Sequence, residues 1–157
     1  QIEIYSSETR IWRKSGELFC LDDEQQFFRG VYWNGAINYF DWGQKSLYFN
    51  VDEERFGTIP NLPIPDGYSS FEYFGTSGDH LHMIEMYGPR TTQFNVYEMK
   101  RDYSEWFVRY RVDLDGVANA FPEMIQSHLD PMDSNYCAFA VLSLVRGEEE
   151  DEDSFLV

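Results

Sequence analysis

The sequence has little positive charge and no long apolar run. Only 12 of its 157 residues are Lys or Arg, against 28 Asp and Glu, so the formal net charge is −16. A chain this acidic repels polyanions, which argues against nucleic acid and anionic membranes as partners. It contains no segment of membrane-spanning length and no recognisable signal peptide.

The two cysteines, Cys20 and Cys137, lie too far apart for a CxxC metal pair and lack the spacing of a disulfide framework. We expect both to be buried, reduced thiols. The sequence also contains no Asn-x-Ser/Thr glycosylation site. Together these absences favour a cytoplasmic or nuclear location.

Motifs that carry catalytic chemistry are missing as well. There is no G-x-S-x-G nucleophile, P-loop or dinucleotide fingerprint. His80 and His82 alternate on a predicted strand and could ligate a metal with Asp79 or Glu85, but a zinc site needs three or four converging ligands, and the one further histidine is His128. Packed or surface histidines are the favoured interpretation, and we expect no catalytic residue, metal or cofactor.

Aromatic residues, in contrast, are abundant. The chain has 13 Phe, 11 Tyr and 4 Trp, and aromatic side chains fit the pleated surface of a sheet. Short alternating segments are separated by turn residues, and Asn34-Gly35 between two apolar runs predicts a hairpin over residues 31–40. The composition and the turns predict an all-β fold.

The sequence contains a repeat of these segments, with a period in the mid-forties of residues. Phe49-Asn50-Val51 returns as Phe94-Asn95-Val96, and the stretch from Tyr5 to Trp12 is echoed by the stretch from Phe49 to Phe56. This period is typical of one four-stranded β-propeller blade per repeat, because a single blade cannot cover its own apolar faces. We therefore predict a partial propeller of roughly three to four blades.

Two regions depart from this pattern. Apolar residues over 114–132 recur at near-helical spacing, although Pro122 interrupts them, which predicts a short helical excursion. Strand character resumes over residues 136–145. The acidic run 148–153 follows, and we interpret it as a solvated loop rather than a docking site for a basic partner or a cation.

The order and spacing of several segments resemble the F-box-associated, kelch-like C-terminal region of plant F-box proteins. The segments that carry the resemblance span nearly the whole chain; they are Ile4–Thr9 with Trp12, Gly30–Ala36, Phe49–Glu54, Gly75–Leu81, Gln93–Met99 and Trp106–Val108.

The resemblance implies an all-β, kelch-like propeller that recognises substrates for an SCF-type ubiquitin ligase. In such a protein the F-box docks on a Skp-type adaptor and cullin scaffold, and the propeller-like region holds the protein to be ubiquitinated. The F-box itself is absent from this sequence, so adaptor docking is assigned to no residue here. The family carries no catalytic constellation to transfer, and the resemblance implies a binding module rather than an enzyme.

Candidate binding residues are few. Trp42 lies in a predicted turn and is the tryptophan most expected to be exposed, whereas we expect Trp12, Trp33 and Trp106 in the core. Arg90, on the turn after Tyr87-Gly88-Pro89, could anchor an acidic partner, although an ordinary turn is the simpler interpretation.

We expect residues 1–157 to form a single propeller-like domain, cut at both ends, with apolar flanks exposed. Two other functions remain open from the sequence. One is a carbohydrate-binding or carbohydrate-active kelch-like protein, which would need an aromatic platform beside paired carboxylates. The other is an interaction scaffold without a ubiquitin connection.

Overall fold

The computed structural model describes residues 2–16, 30–41, 45–63, 69–87, 92–133, 136–137, 139–145 and 154–156. The chain divides into two compact units, Gln1–Ile59 and Pro60–Val157. The prediction of a single domain cut at both ends stays a prediction. Within the described ranges, the structure has no helix that is both long and apolar enough to cross a membrane.

The first unit contains an antiparallel hairpin and a four-stranded antiparallel sheet. The hairpin is β1–β2, and the sheet has the meander order β3-β4-β5-β6. The strands are β1 (Glu3–Ser6), β2 (Ile11–Lys14), β3 (Gly30–Trp33), β4 (Ala36–Tyr39), β5 (Leu47–Asn50) and β6 (Arg55–Thr58).

The second unit is built around a longer sheet of the same kind. Its order is β7-β8-β9-β10, again with consecutive antiparallel neighbours. The elements are β7 (Ser69–Ser77), β8 (His80–Tyr87), β9 (Gln93–Met99), β10 (Trp106–Asp113), helix α1 (Asp115–Ala120), a 3₁₀ helix (Pro122–Met124) and the hairpin β11 (Ser143–Val145) with β12 (Ser154–Leu156).

The prediction of an all-β fold is thus confirmed, as is the helical excursion within 114–132. Pro122 stands at the start of the 3₁₀ helix, where its missing N–H costs no hydrogen bond. The strand predicted over residues 136–145 was too long. Among the described residues of this range, β11 is the only strand, and Cys137 makes an isolated bridge with Ile125. The radial packing of sheets as propeller blades stays a prediction.

Turn geometry shows that the two four-stranded sheets repeat one another. Asn34 and Gly35 join β3 to β4 with φ of 53° and 73°, which confirms the predicted hairpin. Gly78 and Asp79 join β7 to β8 with φ of 55° and 60°. Both turns have the two left-handed residues of a type I′ connection, and they lie 44 residues apart (78 − 34).

The sequence repeat falls on equivalent strands. Phe49 and Asn50 end β5, whereas Phe94 and Asn95 lie on β9, and each strand is the third of its sheet. The second strands also match, because each carries one fully buried polar side chain three residues after its turn. These are Asn38 on β4 and His82 on β8. The mid-forties period therefore corresponds to one meander sheet.

Both sheets carry buried side chains on each face. In the first, Trp33 and Ala36 form a cross-strand pair on one face, and Phe49 lies on the other. Asn38 is fully buried beside the first pair, and its Nδ2 lies 3.2–3.3 Å from three backbone carbonyl oxygens of the same hairpin. Burial on both faces explains why the apolar content of these short strands is so high.

The core of the second unit lies between its sheet and the segment that follows the helix. Its buried members come from β8, β9, the residue before α1, and residues 141–144; they are Ile84, Phe94, Val96, Leu114, Val141 and Leu144. On the opposite face, Trp106 is 4% exposed and its indole N–H donates to the carbonyl of Pro60 at 2.8 Å. The predicted core positions of Trp33 and Trp106 are confirmed.

Candidate protein-binding surface

The largest departure from expectation is Trp12, which was predicted to lie in the core. Its side chain is 64% exposed, and Tyr5 and Ile11 on the same hairpin are 48% and 62% exposed. The pattern of strands and turns around Trp12 is the same as that of β5–β6, where Phe49 is buried. The sequence therefore gives no signal that Trp12 is exposed. We call residues 3–14 the aromatic hairpin.

The aromatic hairpin has the same internal construction as β5–β6. Tyr5 faces Trp12 across β1 and β2, and Phe49 faces Phe56 across β5 and β6. The ring centroids are 5.2 Å apart in the first pair and 5.1 Å in the second, with interplanar angles of 46° and 57°. The seven-residue step is therefore the sequence separation between two residues that face each other across the strands of a hairpin.

The two hairpin loops match as well. Arg10 ends the first loop with φ of 58°, and Glu54 ends the second with φ of 53°, again 44 residues apart (54 − 10). A side chain at the start of each loop accepts backbone hydrogen bonds. Ser6 Oγ accepts from Thr9 N–H at 3.3 Å, and Asn50 Oδ1 accepts from the N–H groups of Asp52 and Glu53 at 3.0 and 2.9 Å.

An ion pair connects the aromatic hairpin to the loop between β5 and β6. The Arg13 guanidinium donates to the carboxylate of Glu54. This hydrogen bond lowers the pKa of Glu54 below its ordinary value and raises that of Arg13. Because Arg13 and Trp12 are neighbours on a strand, they point to opposite faces, and the ion pair leaves the Tyr5–Trp12 face exposed.

The charge of the aromatic hairpin differs from that of the chain. It contains three basic residues and two acidic ones, so its net charge is +1 (3 − 2), whereas the whole chain carries −16. The basic residues are Arg10, Arg13 and Lys14, and the acidic ones are Glu3 and Glu8. Trp and Tyr are enriched in protein-binding hot spots, and the aromatic hairpin exposes one of each on a single face.

A polar cluster in the second unit is a weaker candidate. His80 Nδ1 lies 2.6 Å from Glu98 Oε1, and Arg109 Nε lies 3.8 Å from Glu98 Oε2. Glu98 is only 6% exposed, and its contacts with His80 and with the Arg109 guanidinium compensate the cost of burying a carboxylate. In the part of the chain that the structure describes, no group of three or more His, Cys, Asp or Glu side chains could hold a metal ion.

A cavity of about 440 Å³ lies beside helix α1. It is lined by Thr92, Asp115, Ala118, Asn119, Ile125, Tyr136 and Cys137. The Thr92 hydroxyl donates to Asp115, and Cys137 is buried as predicted, while Cys20 lies outside the described residues. Among the described residues that line the cavity, none is a histidine or a lysine.

The two binding residues singled out in the sequence cannot be placed. Trp42 and Arg90 both lie outside the described residues, as does the acidic run 148–153. The structure brings together a different pair, Tyr5 and Trp12, which face each other across the aromatic hairpin and are both exposed.

Comparison with known proteins supports the resemblance seen in the sequence. The chain is 32% identical, over 99% of its length, to an F-box protein of Arabidopsis thaliana, and it spans 39% of the length of that protein. No protein-family model matches the chain, and no solved structure matches it. The predicted similarity to a plant F-box protein is confirmed by this relative, while the kelch-like character stays a prediction.

Proposed function

We propose that the chain is the substrate-recognition part of an F-box protein that acts in an SCF-type ubiquitin ligase. The observation that carries the proposal is the identity of 32% with an F-box protein over 99% of the chain. In this function the chain binds the protein to be ubiquitinated and performs no chemistry itself. The Skp-type adaptor and the cullin scaffold bind through an F-box outside these 157 residues.

The aromatic hairpin is the proposed contact with the target. Burying the exposed parts of Tyr5 and Trp12 against a partner gains free energy in proportion to the apolar area removed from water. Arg10 and Lys14 beside them add directional hydrogen-bond donors, which fix the orientation of a bound chain.

The test uses the full-length protein from which this chain comes. We expect it to co-purify with a Skp-type adaptor, a cullin and a small set of target proteins, and to ubiquitinate those targets in a reconstituted reaction. Trp12→Ala should retain the adaptor and lose the targets. Tyr32→Ala removes another exposed aromatic side chain, 68% exposed on β3, and serves as the matched control that keeps both.

Two results would contradict the proposal. Failure of the full-length protein to bind any Skp-type adaptor would remove the ligase connection. Selective binding on a glycan array that depends on Trp12, with no target protein captured, would favour the carbohydrate-binding alternative instead.

A further inference from the structure

The cavity beside helix α1 combines an apolar interior with a polar mouth. Cys137, which is 4% exposed, forms its most buried wall, and Ala118 and Ile125 are half-buried. Asp115 and Asn119, one turn apart on α1, are exposed. The volume of about 440 Å³ lies within the range of ligand pockets, which combine apolar walls with a few placed polar groups. The cavity thus has the size and the chemistry of a binding pocket.

Hydrogen bonds fix the walls of the cavity. Leu114 N–H donates to Thr92 O at 2.9 Å, which joins the residue before α1 to the residue before β9. Gln126 N–H donates to Tyr136 O at 2.8 Å, next to the isolated bridge in the segment that follows α1. Because these walls are already held in place, a ligand that enters the cavity pays little to order them.

Two carboxylates are held close together at the mouth. Gln93 Nε2 lies 3.0 Å from Asp113 Oδ2 and 3.5 Å from Asp115 Oδ2, so these two oxygens are at most 6.5 Å apart (3.0 + 3.5). The Thr92 hydroxyl donates to Asp115 Oδ1, and Asp115 N–H donates to Asp113 Oδ1 at 2.8 Å. Every one of these donors is neutral. The hydrogen bonds therefore fix the positions of the carboxylates without compensating their charge.

The basic residues near the mouth leave it negative. In the part of the chain that the structure describes, no lysine or arginine is ion-paired with Asp113 or Asp115. Arg111 precedes Asp113 by two residues on β10 and is exposed, so the three groups together carry a charge of −1 (1 − 2). This charge refers to the described residues, to which Arg90 does not belong. A bound cation would relieve the repulsion between the two carboxylates.

An arginine side chain fits this mouth better than a metal ion or a lysine. Among the described residues, no group of three or more His, Cys, Asp or Glu side chains could hold a metal ion, and calcium takes about six to eight oxygen ligands. A guanidinium presents its N–H donors in a planar fork and can contact two carboxylates at once, whereas an ammonium is a compact point charge. The apolar interior behind the mouth requires an apolar side chain next to that arginine.

We propose that the cavity binds a segment of a partner protein in which an arginine lies next to a bulky apolar residue. The apolar side chain fills the cavity against Ala118, Ile125 and Tyr136, and the guanidinium stays at the mouth and donates to Asp113 and Asp115. The net charge of −16 attracts such a basic segment over longer distances. This inference rests on the proposed function, because the partner is the protein that the ligase would ubiquitinate.

The experiment selects random 12-residue peptides displayed on phage with the full-length protein from which this chain comes. A counter-selection with Asp115→Asn removes peptides that bind elsewhere, and we expect enriched peptides with Arg next to Leu, Met, Phe or Trp. Fluorescence polarisation with the synthetic peptides measures affinity. Asp115→Asn keeps an acceptor for the Thr92 hydroxyl and should weaken binding about tenfold, because a charge-assisted hydrogen bond is lost. Ala118→Leu occupies part of the cavity and should weaken binding at least about tenfold.

Two controls make the result specific to the cavity. Glu123→Gln removes an exposed carboxylate from the 3₁₀ helix, outside the lining, and should bind within about threefold of the unchanged protein. Citrulline in place of the peptide's arginine keeps the shape without the charge. It should weaken binding about tenfold to the unchanged protein and by less to Asp115→Asn, since the two changes remove the same contact. Circular dichroism establishes that each variant is folded, and the citrulline peptide tests the charge without any change to the protein.

The inference is overturned if no such peptide is enriched, if the peptides bind Ala118→Leu as tightly as the unchanged protein, or if citrulline leaves their affinity unchanged. Agmatine binding alone as tightly as the peptides would replace the partner segment with a small guanidinium compound. Because these measurements use no adaptor or cullin, their failure leaves the proposed ubiquitin-ligase role standing, and failure of adaptor binding leaves the peptide result standing.

Discussion

The hairpins β1–β2 and β5–β6 share one construction and differ in environment. Both have a facing aromatic pair with ring centroids 5.1–5.2 Å apart and a loop that ends on a residue with positive φ. Phe49, however, is 3% exposed within a four-stranded sheet, whereas its counterpart Tyr5 is 48% exposed. The comparison separates the strand and loop geometry, which a hairpin's own sequence determines, from the burial of its side chains, which depends on neighbouring elements.

The largest expected difference between the hairpins is the cost of removing one ring. Phe49→Ala should lower the free energy of unfolding by about 3–5 kcal/mol, because it leaves a cavity in a packed site. Tyr5→Ala should lower it by less than about 1 kcal/mol, because half of that side chain is already in water. Urea denaturation measures both values. Equal costs would mean that the two hairpins are buried alike.

The direct coupling between the rings should be similar in the two hairpins. Double-mutant cycles to alanine are expected to give about 0.5–1.5 kcal/mol for Tyr5 with Trp12 and for Phe49 with Phe56, because the ring geometries match. Denaturation of the single and double variants provides the cycle. A coupling confined to the buried pair would show that packing around the rings, and not their contact, stabilises the hairpin.

The loop acceptors offer a smaller test. Asn50→Ala removes an acceptor of two backbone N–H groups and should cost about 1 kcal/mol, whereas Ser6→Ala removes one longer bond and should cost about 0.5 kcal/mol. Asn50→Asp keeps the acceptor and should stay near the unchanged chain. Thermal unfolding followed by circular dichroism ranks the three variants, and a larger loss for Ser6→Ala would contradict the comparison.

The smallest effect concerns the ion pair between the two hairpins. The pKa of Glu54 is lowered in the folded protein, so its contribution to stability is present above the ordinary value of 4.5 and is lost as the pH falls through the folded pKa. Glu54→Gln should therefore lower the melting temperature slightly at pH 7. The difference should become smaller as the pH falls from 7 towards 3, and it should also shrink in 1 M salt because solvent reaches the pair.

A melting-temperature difference that persists unchanged at pH 3 would contradict this account. It would mean that Glu54 acts through its place in the loop, where its φ is 53°, and not through its charge. Asp52→Asn removes a neighbouring acid outside the Arg13–Glu54 pair and provides the matched control for the change in net charge.

Local structure was determined by the sequence itself. Asn34-Gly35 specifies the type I′ turn because both residues tolerate positive φ, and the aromatic alternation specifies strands. The seven-residue step from Tyr5 to Trp12 fixes a cross-strand pair, and the mid-forties repeat maps onto equivalent strands of two sheets. These features depend only on neighbours in the chain or on a short hairpin.

Burial was decided by tertiary structure. Trp12 and Phe56 occupy the same place in equivalent hairpins, yet Trp12 is exposed, because accessibility depends on which other element covers a face and not on the hairpin's own residues. The same reason separates Asn38, fully buried, from the polar residues of the turns. About a dozen residues suffice to predict the strands and the turn of a hairpin. The burial of its side chains, however, depends on whether another sheet packs against it.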